Sequence, residues 1–214
     1  KRGYWYYTRF ETGKEYPVYA RKAGTLEAAE QVMLDGNALS TGHDFYEVGV
    51  MAIAPNDRIL AYVDDAVGRR QYTLRFKDLE TGETLADRIE NVEAYLAWTA
   101  DSASVVYIEK HPETLLGYLV KRHVLGTDPS QDVLIHEEQD ESFYTSVFNT
   151  KDDRYVLIKA ESTVSTEWRY ADAADPALAF RVFLPRERDH EYHINHLDGR
   201  WIIRSNWKAP NFRL

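Results

Sequence analysis

Apolar residues in this chain come in short runs separated by Asn, Asp, Gly and Pro, and they do not recur at helical spacing. Runs of about 4–8 residues bounded by such turn formers read as β-strands. The runs themselves repeat. A polar turn opens onto an apolar strand at Arg58 (Ile59-Leu60-Ala61-Tyr62), Ser104 (Val105-Val106-Tyr107-Ile108), Arg154 (Tyr155-Val156-Leu157-Ile158) and Arg200 (Trp201-Ile202-Ile203). The steps between them are 46, 50 and 46 residues. An earlier copy, Gly3-Tyr4-Trp5-Tyr6-Tyr7, follows Arg2.

Each copy is preceded by another strand and a tight turn, as in Val48 to Ala54 followed by Pro55-Asn56-Asp57, and Tyr144 to Phe148 followed by Asp152-Asp153. Ala94 to Trp98 and Tyr192 to Ile194 fill the same place in the other copies. Two further strands follow, as in Gln71 to Lys77, the turn Glu80-Thr81-Gly82, and Thr84 to Ile89. Four antiparallel strands in a period of about 40–50 residues make one blade of a β-propeller. The second strand of each unit is apolar at consecutive positions, which suits a strand covered on both faces. A sandwich would give one wet face per strand and no common period.

The fold expected is therefore all-β: one partial propeller domain over 1–214, of four to five blades, with second strands beginning near 3, 58, 104, 154 and 200. Thr25 to Asp35 fits a short helix as well as a strand. The chain opens on a second strand and stops at Asn211-Phe212-Arg213-Leu214 in a third. A fragment of a longer protein is expected, with self-association of the isolated chain through uncovered blade faces.

Composition narrows the function. Among 214 residues, 26 Lys and Arg stand against 35 Asp and Glu, a net charge of −9. That surface disfavours nucleic acid, whose binding runs on Lys and Arg neutralising phosphates. With no cysteine there is no thiolate metal ligand or cysteine nucleophile, and the cytoplasm is the expected location. No apolar run approaches the roughly 20 residues of a membrane-spanning helix, and Lys1 to Tyr7 lacks the apolar core of a signal peptide.

No G-x-S-x-G elbow, H-E-x-x-H, Walker loop or G-x-G-x-x-G is present. In His190-Glu191-Tyr192-His193-Ile194-Asn195-His196, a strand would set His190 and His196 on one face roughly 20 Å apart, with His193 on the other, too far to converge on one metal. Glu137-Glu138-Gln139-Asp140-Glu141 reads as a solvated loop between blades or as an acidic rim that steers cationic peptides. Arg69 and Arg70 open a third strand, either as plain surface or as a clamp for a carboxylate on another domain. Asp44 opens a blade strand, as a turn residue or a contact.

Specific strings then carry a resemblance: Gly42-His43-Asp44-Phe45-Tyr46, Gly68-Arg69-Arg70-Gln71-Tyr72-Thr73-Leu74, Asp78-Leu79-Glu80-Thr81-Gly82, Lys110-His111-Pro112-Glu113-Thr114-Leu115-Leu116, His123-Val124-Leu125-Gly126-Thr127, Asp189-His190-Glu191-Tyr192, and Arg204-Ser205-Asn206 with Asn211-Phe212. In order and spacing they resemble the propeller portion of the oligopeptidase B (protease II) group of prolyl oligopeptidase family serine peptidases. That resemblance implies a seven-bladed propeller capping a C-terminal α/β-hydrolase domain that holds the whole catalytic triad. It implies cleavage of short basic peptides after Arg or Lys, with the propeller gating access by size, and no cofactor. It also implies that Asp44 and Arg70 face the catalytic domain, with Arg69 as a neighbour. Asp44 stands where related sequences often carry the longer Glu. A stand-alone propeller binding a protein or peptide is the alternative, although no WD or GH repeat signature is present.

Overall fold

The computed structural model describes residues 1–214 and is built almost wholly from antiparallel strands. The first sheet is β1 (Tyr4–Arg9), β2 (Val18–Ala23) and β3 (Glu30–Asp35), followed by the one-turn helix α1 (Gly36–Leu39). Next come β4 (Glu47–Ile53), β5 (Ile59–Asp65), β6 (Tyr72–Asp78) and β7 (Thr84–Val92), then β8 (Ala97–Trp98), β9 (Ser104–Lys110), β10 (Gly117–Val124) and β11 (Val133–Glu137). A third four-stranded meander holds β12 (Tyr144–Asn149), β13 (Tyr155–Glu161), β14 (Thr166–Asp172) and β15 (Arg181–Leu184). The hairpin of β16 (Tyr192–Leu197) and β17 (Arg200–Ser205) ends the series.

The structure resolves one open expectation and corrects others in detail. Thr25 to Asp35 supplies strand β3, and its helical turn lies just beyond, at α1, capped by the Asp35 side chain accepting from the Asn37 N–H. The inner strand expected over Ala94 to Trp98 is ladder-paired only at Ala97 and Trp98. The preceding Val92 instead ends β7 and pairs with Glu109, so the chain passes from the outer strand of one unit to the inner strand of the next without leaving the sheet. Beyond β17 the expected third strand is a single bridge, Ser205 to Arg213.

The second strands explain the packing. In β5 and β9 nearly every residue is buried, in β13 the central run Val156-Leu157-Ile158 is, and alternate side chains enter different cores. Leu60 and Tyr62 join Met33 and Leu34 of the preceding unit, while Ala61 and Val63 join Trp98, Val105 and Tyr107 of the following one. Val106 and Ile108 turn the other way, to Val147, Val156 and Ile158. Leu157 then meets Trp168, Tyr192 and Ile194. Each of these three strands is thus shared between two cores.

Polar contacts fix the stacking of the sheets. Trp98 donates its indole N–H to the Ala52 carbonyl at 2.9 Å, and the Asn149 amide brackets the Trp98 backbone with bonds of 2.8 and 2.9 Å. Lower in the stack, the Lys151 N–H donates to Asn195 Oδ1 and the Asn56 N–H to Ser102 Oγ. The fully buried His123 sits between units, with Nδ1 2.8 Å from Asp132 and Nε2 3.0 Å from Asp87, its ring stacked on Phe76.

Ile108→Ala should destabilise folding by about 2–5 kcal/mol, because it empties a core closed on both sides. Val133→Ala, on an exposed outer strand, should stay within about 0.5 kcal/mol. Urea denaturation of both variants checks this, and equal losses would contradict the two-faced burial of the second strands.

Candidate functional site

The strand β5 runs Ile59-Leu60-Ala61-Tyr62-Val63 and then ends in two acids, Asp64 and Asp65, both buried. Successive residues on a strand face opposite ways, so the two carboxylates serve different loops. Asp64 accepts from the Tyr46 hydroxyl at 2.9 Å and from Arg75 Nε at 2.8 Å. This ties down the segment Gly42 to Tyr46 that enters β4. Burial and the neighbouring Asp64 push the Tyr46 hydroxyl pKa upward, which keeps it a hydrogen-bond donor.

Asp65, only 1% exposed, accepts three backbone N–H groups: Val67 at 2.8 Å, Gly68 at 3.0 Å and Arg70 at 2.7 Å. Such charge-assisted bonds are stronger than neutral ones. They wind the β5–β6 connection around one carboxylate. Gly68 lies at φ +80°, where a side chain would be strained, and a Cβ there would stand 3.3 Å from the Phe45 ring. The two loops therefore pack on each other, Phe45 against Gly68, at the same end of the stack.

Arg69, Arg70 and Asp44 all project from these loops into solvent, and no side-chain hydrogen bond or ion pair occupies any of the three. They are loop residues, not strand openers as the sequence reading had them: β6 starts at Tyr72 and β4 at Glu47. Arg70 has φ 54°, a conformation that costs a non-glycine residue on the order of 1–3 kcal/mol and persists only where its surroundings enforce it. Its N–H is held by Asp65 and its carbonyl by the buried Lys110 ammonium of the next unit, at 2.5 Å. Lys110 also lies 3.8 Å from Glu93 Oε1 and over the Tyr72 ring.

The acidic run has a more particular structure than a solvated loop. Glu138 is buried and paired with Arg186 at 2.7 Å, while the Arg186 guanidinium lies 4.0 Å from the Phe143 ring centre. Glu137, Asp140 and Glu141 line a cavity of about 330 Å³ with His111 and Tyr118, at the end that also carries Arg70. The His190 to His196 cluster disperses. His190 precedes the strand and contacts Ser205, His193 lies against Trp168, and the buried His196 holds Asp152 at 2.5 Å.

Sequence reading picked out Asp44, Arg69 and Arg70, which the fold brings to one end. It passed over Asp64, Asp65 and Lys110, which hold them. The available signal was two acids closing an otherwise apolar, doubly covered strand, where charge is costly unless it is bonded.

Burial pushes the Glu93 carboxyl pKa up, and Lys110 opposes that rise. A carboxyl raised in the folded state contributes stability that is complete below the ordinary glutamate range and declines as pH rises through the folded value. Glu93→Gln should flatten that decline in urea denaturation followed from about pH 4 to pH 8. Parallel curves for the two proteins would show that Glu93 titrates as an exposed acid.

Over residues 1–214 the chain matches the family described as prolyl oligopeptidase, N-terminal beta-propeller domain. It is similar to dipeptidyl aminopeptidase BI of Pseudoxanthomonas mexicana, with 49% identity over 100% of this chain and 32% of that protein. It is also similar to protease 2 of Moraxella lacunata, with 30% identity over 99% of this chain and 31% of that one. The structure of oligopeptidase B from Leishmania major superposes with a TM-score of 0.92 at 29% identity, covering 99% of this chain and 31% of that one. The chain thus spans about a third of the length of the relatives it matches.

Proposed function

The chain belongs to the prolyl oligopeptidase family, as its N-terminal β-propeller domain, and from that premise we propose that it is the non-catalytic cap of a serine oligopeptidase. In this reading it docks on a C-terminal α/β-hydrolase domain and admits short peptides when the two domains part. Closure excludes water from the chemistry, and the domain motion sets which substrates gain access. The carrying observation is the cluster of unpaired charges, Asp44, Arg69 and Arg70, on two braced loops at one end of the stack.

An exposed guanidinium on a fixed backbone suits a bidentate bond to a carboxylate of the partner domain. Arg70 and Asp44 act in this reading as interdomain contacts, with Arg69 as a flanking cation. The substrates proposed are short peptides with Arg or Lys before the cleaved bond, and the acidic rim at Glu137, Asp140 and Glu141 would raise their local concentration. A second reading of specificity comes from the 49% identical relative, which is named for dipeptide removal. A stand-alone peptide-binding propeller would need neither a hydrolase partner nor an interdomain ion pair. Exposed Trp5 on β1 and Ile202 on β17 support a further proposal, that the isolated chain self-associates.

Mass spectrometry of the gene product from its native cells tests the cap reading directly. A product about three times this length is expected, and one of this length alone would favour the stand-alone module. In the long product, Arg70→Ala and Asp44→Ala should each lower kcat/KM on an arginyl peptide by about threefold to tenfold, as expected for loss of one partly screened ion pair. Wild-type rates at high salt should approach those of the variants. Variants indistinguishable from wild type would remove these residues from the interdomain contact. Fragment masses from a longer peptide separate internal cleavage after Arg or Lys from stepwise loss of dipeptides.

Light scattering of residues 1–214 at micromolar concentration should report a dimer or larger species. A monomer there would refute the self-association proposal.

A further inference from the structure

Resting on the cap reading, we propose that Lys110, together with Asp65, is a positioning residue that aims Arg70 at the partner domain, so that the packing of one blade sets the docking contact of its neighbour. Lys110 closes β9, belongs to the unit after the one that carries Arg70, and is 4% exposed. A buried ammonium is rare unless it is bonded. Of its contacts, the shortest by far is to the Arg70 carbonyl, at 2.5 Å, against 3.8 Å to Glu93 Oε1 and 5.7 Å to the Tyr72 ring centre.

The two halves of this brace come from opposite sides. Asp65 takes the Arg70 N–H from within the loop's own unit, while Lys110 takes the carbonyl from the next unit. One peptide unit on each side of Arg70 Cα is thereby fixed, and the left-handed φ of 54° is imposed on a residue that would otherwise leave it. The guanidinium, by contrast, has no partner in the chain. A fixed backbone beneath a free charged head is the arrangement expected of a preorganised contact, since less freedom is then lost on docking. Lys110 is in turn seated by residues of the strand before it and the strand after it. Glu93 presses on Gly117, where a Cβ would stand 2.6 Å from Glu93 Cγ, and Asn91 donates to the Lys110 carbonyl at 2.8 Å.

The test is a double-mutant cycle in the full-length gene product, using Lys110→Met, which keeps the apolar stem, and Arg70→Ala. Lys110→Met should lower kcat/KM on an arginyl peptide about as far as Arg70→Ala does, and the double variant should be no slower than Arg70→Ala alone, because residues acting through one contact are not additive. Amide exchange should accelerate across Val67 to Arg70 while Ile59 to Val63 stay protected. Two results overturn the positioning role while leaving the docking role of Arg70 intact: multiplying effects in the double variant, or unchanged kinetics for Lys110→Met beside an impaired Arg70→Ala. Unchanged kinetics for Arg70→Ala overturns both. Should Lys110→Met fail to fold, Asp65→Asn is measured in the same cycle, and the same outcomes decide.

Discussion

The second strands β5, β9 and β13 must each satisfy two cores at once, and the rest of the molecule follows from that. Because side chains alternate across a strand, β5, β9 and β13 can send Leu60, Tyr107 or Val156 to one neighbour and Ala61, Val106 or Leu157 to the other. No sheet can bury its own apolar surface alone. Stability is therefore a chain of nearest-neighbour interfaces, as in other repeat architectures. It also explains the absence of the polar–apolar alternation that a one-sided sheet would show.

A stack built this way commits its strands to packing and leaves chemistry to the connections. The buried polar groups sit where strands end or where sheets meet. Asp64 and Asp65 close β5, Lys110 closes β9, and His123 bridges two carboxylates between units. Each is bonded, as a polar group removed from water must be. What they support differs. His123 joins two units, whereas Asp65 and Lys110 hold a loop whose own charged side chain is left free. Arg70, like Leu115 in the loop after β9, holds a left-handed φ at this end, and in Arg70 that backbone is bonded on both sides.

Much of this was legible beforehand, because hydrophobic period and turn chemistry are local properties. The recurrence at Arg58, Ser104, Arg154 and Arg200 showed the unit, and strands β5, β9, β13 and β17 start at or one residue beyond those positions. Asp44, Arg69 and Arg70 stood out through the strings around them. Less legible was where strands stop. Arg69 and Arg70 fell outside β6 because Asp65 draws the loop amides inward, and Ala94 to Leu96 left the ladder because Val92 already pairs with β9. The run Glu137 to Glu141 looked uniformly solvated, yet Arg186, 48 residues beyond Glu138, comes back to bury that one member.

By itself, then, the sequence determined the all-β class, the repeating unit and the doubly buried second strands, since each depends on residues within one period. Tertiary structure alone decided which charges are bound and which remain free. Lys110 meets the Arg70 carbonyl 40 residues away, and His123 meets Asp87 36 residues away. Such pairs form only once neighbouring units pack, and the register of that packing is a property of surfaces that no local window contains.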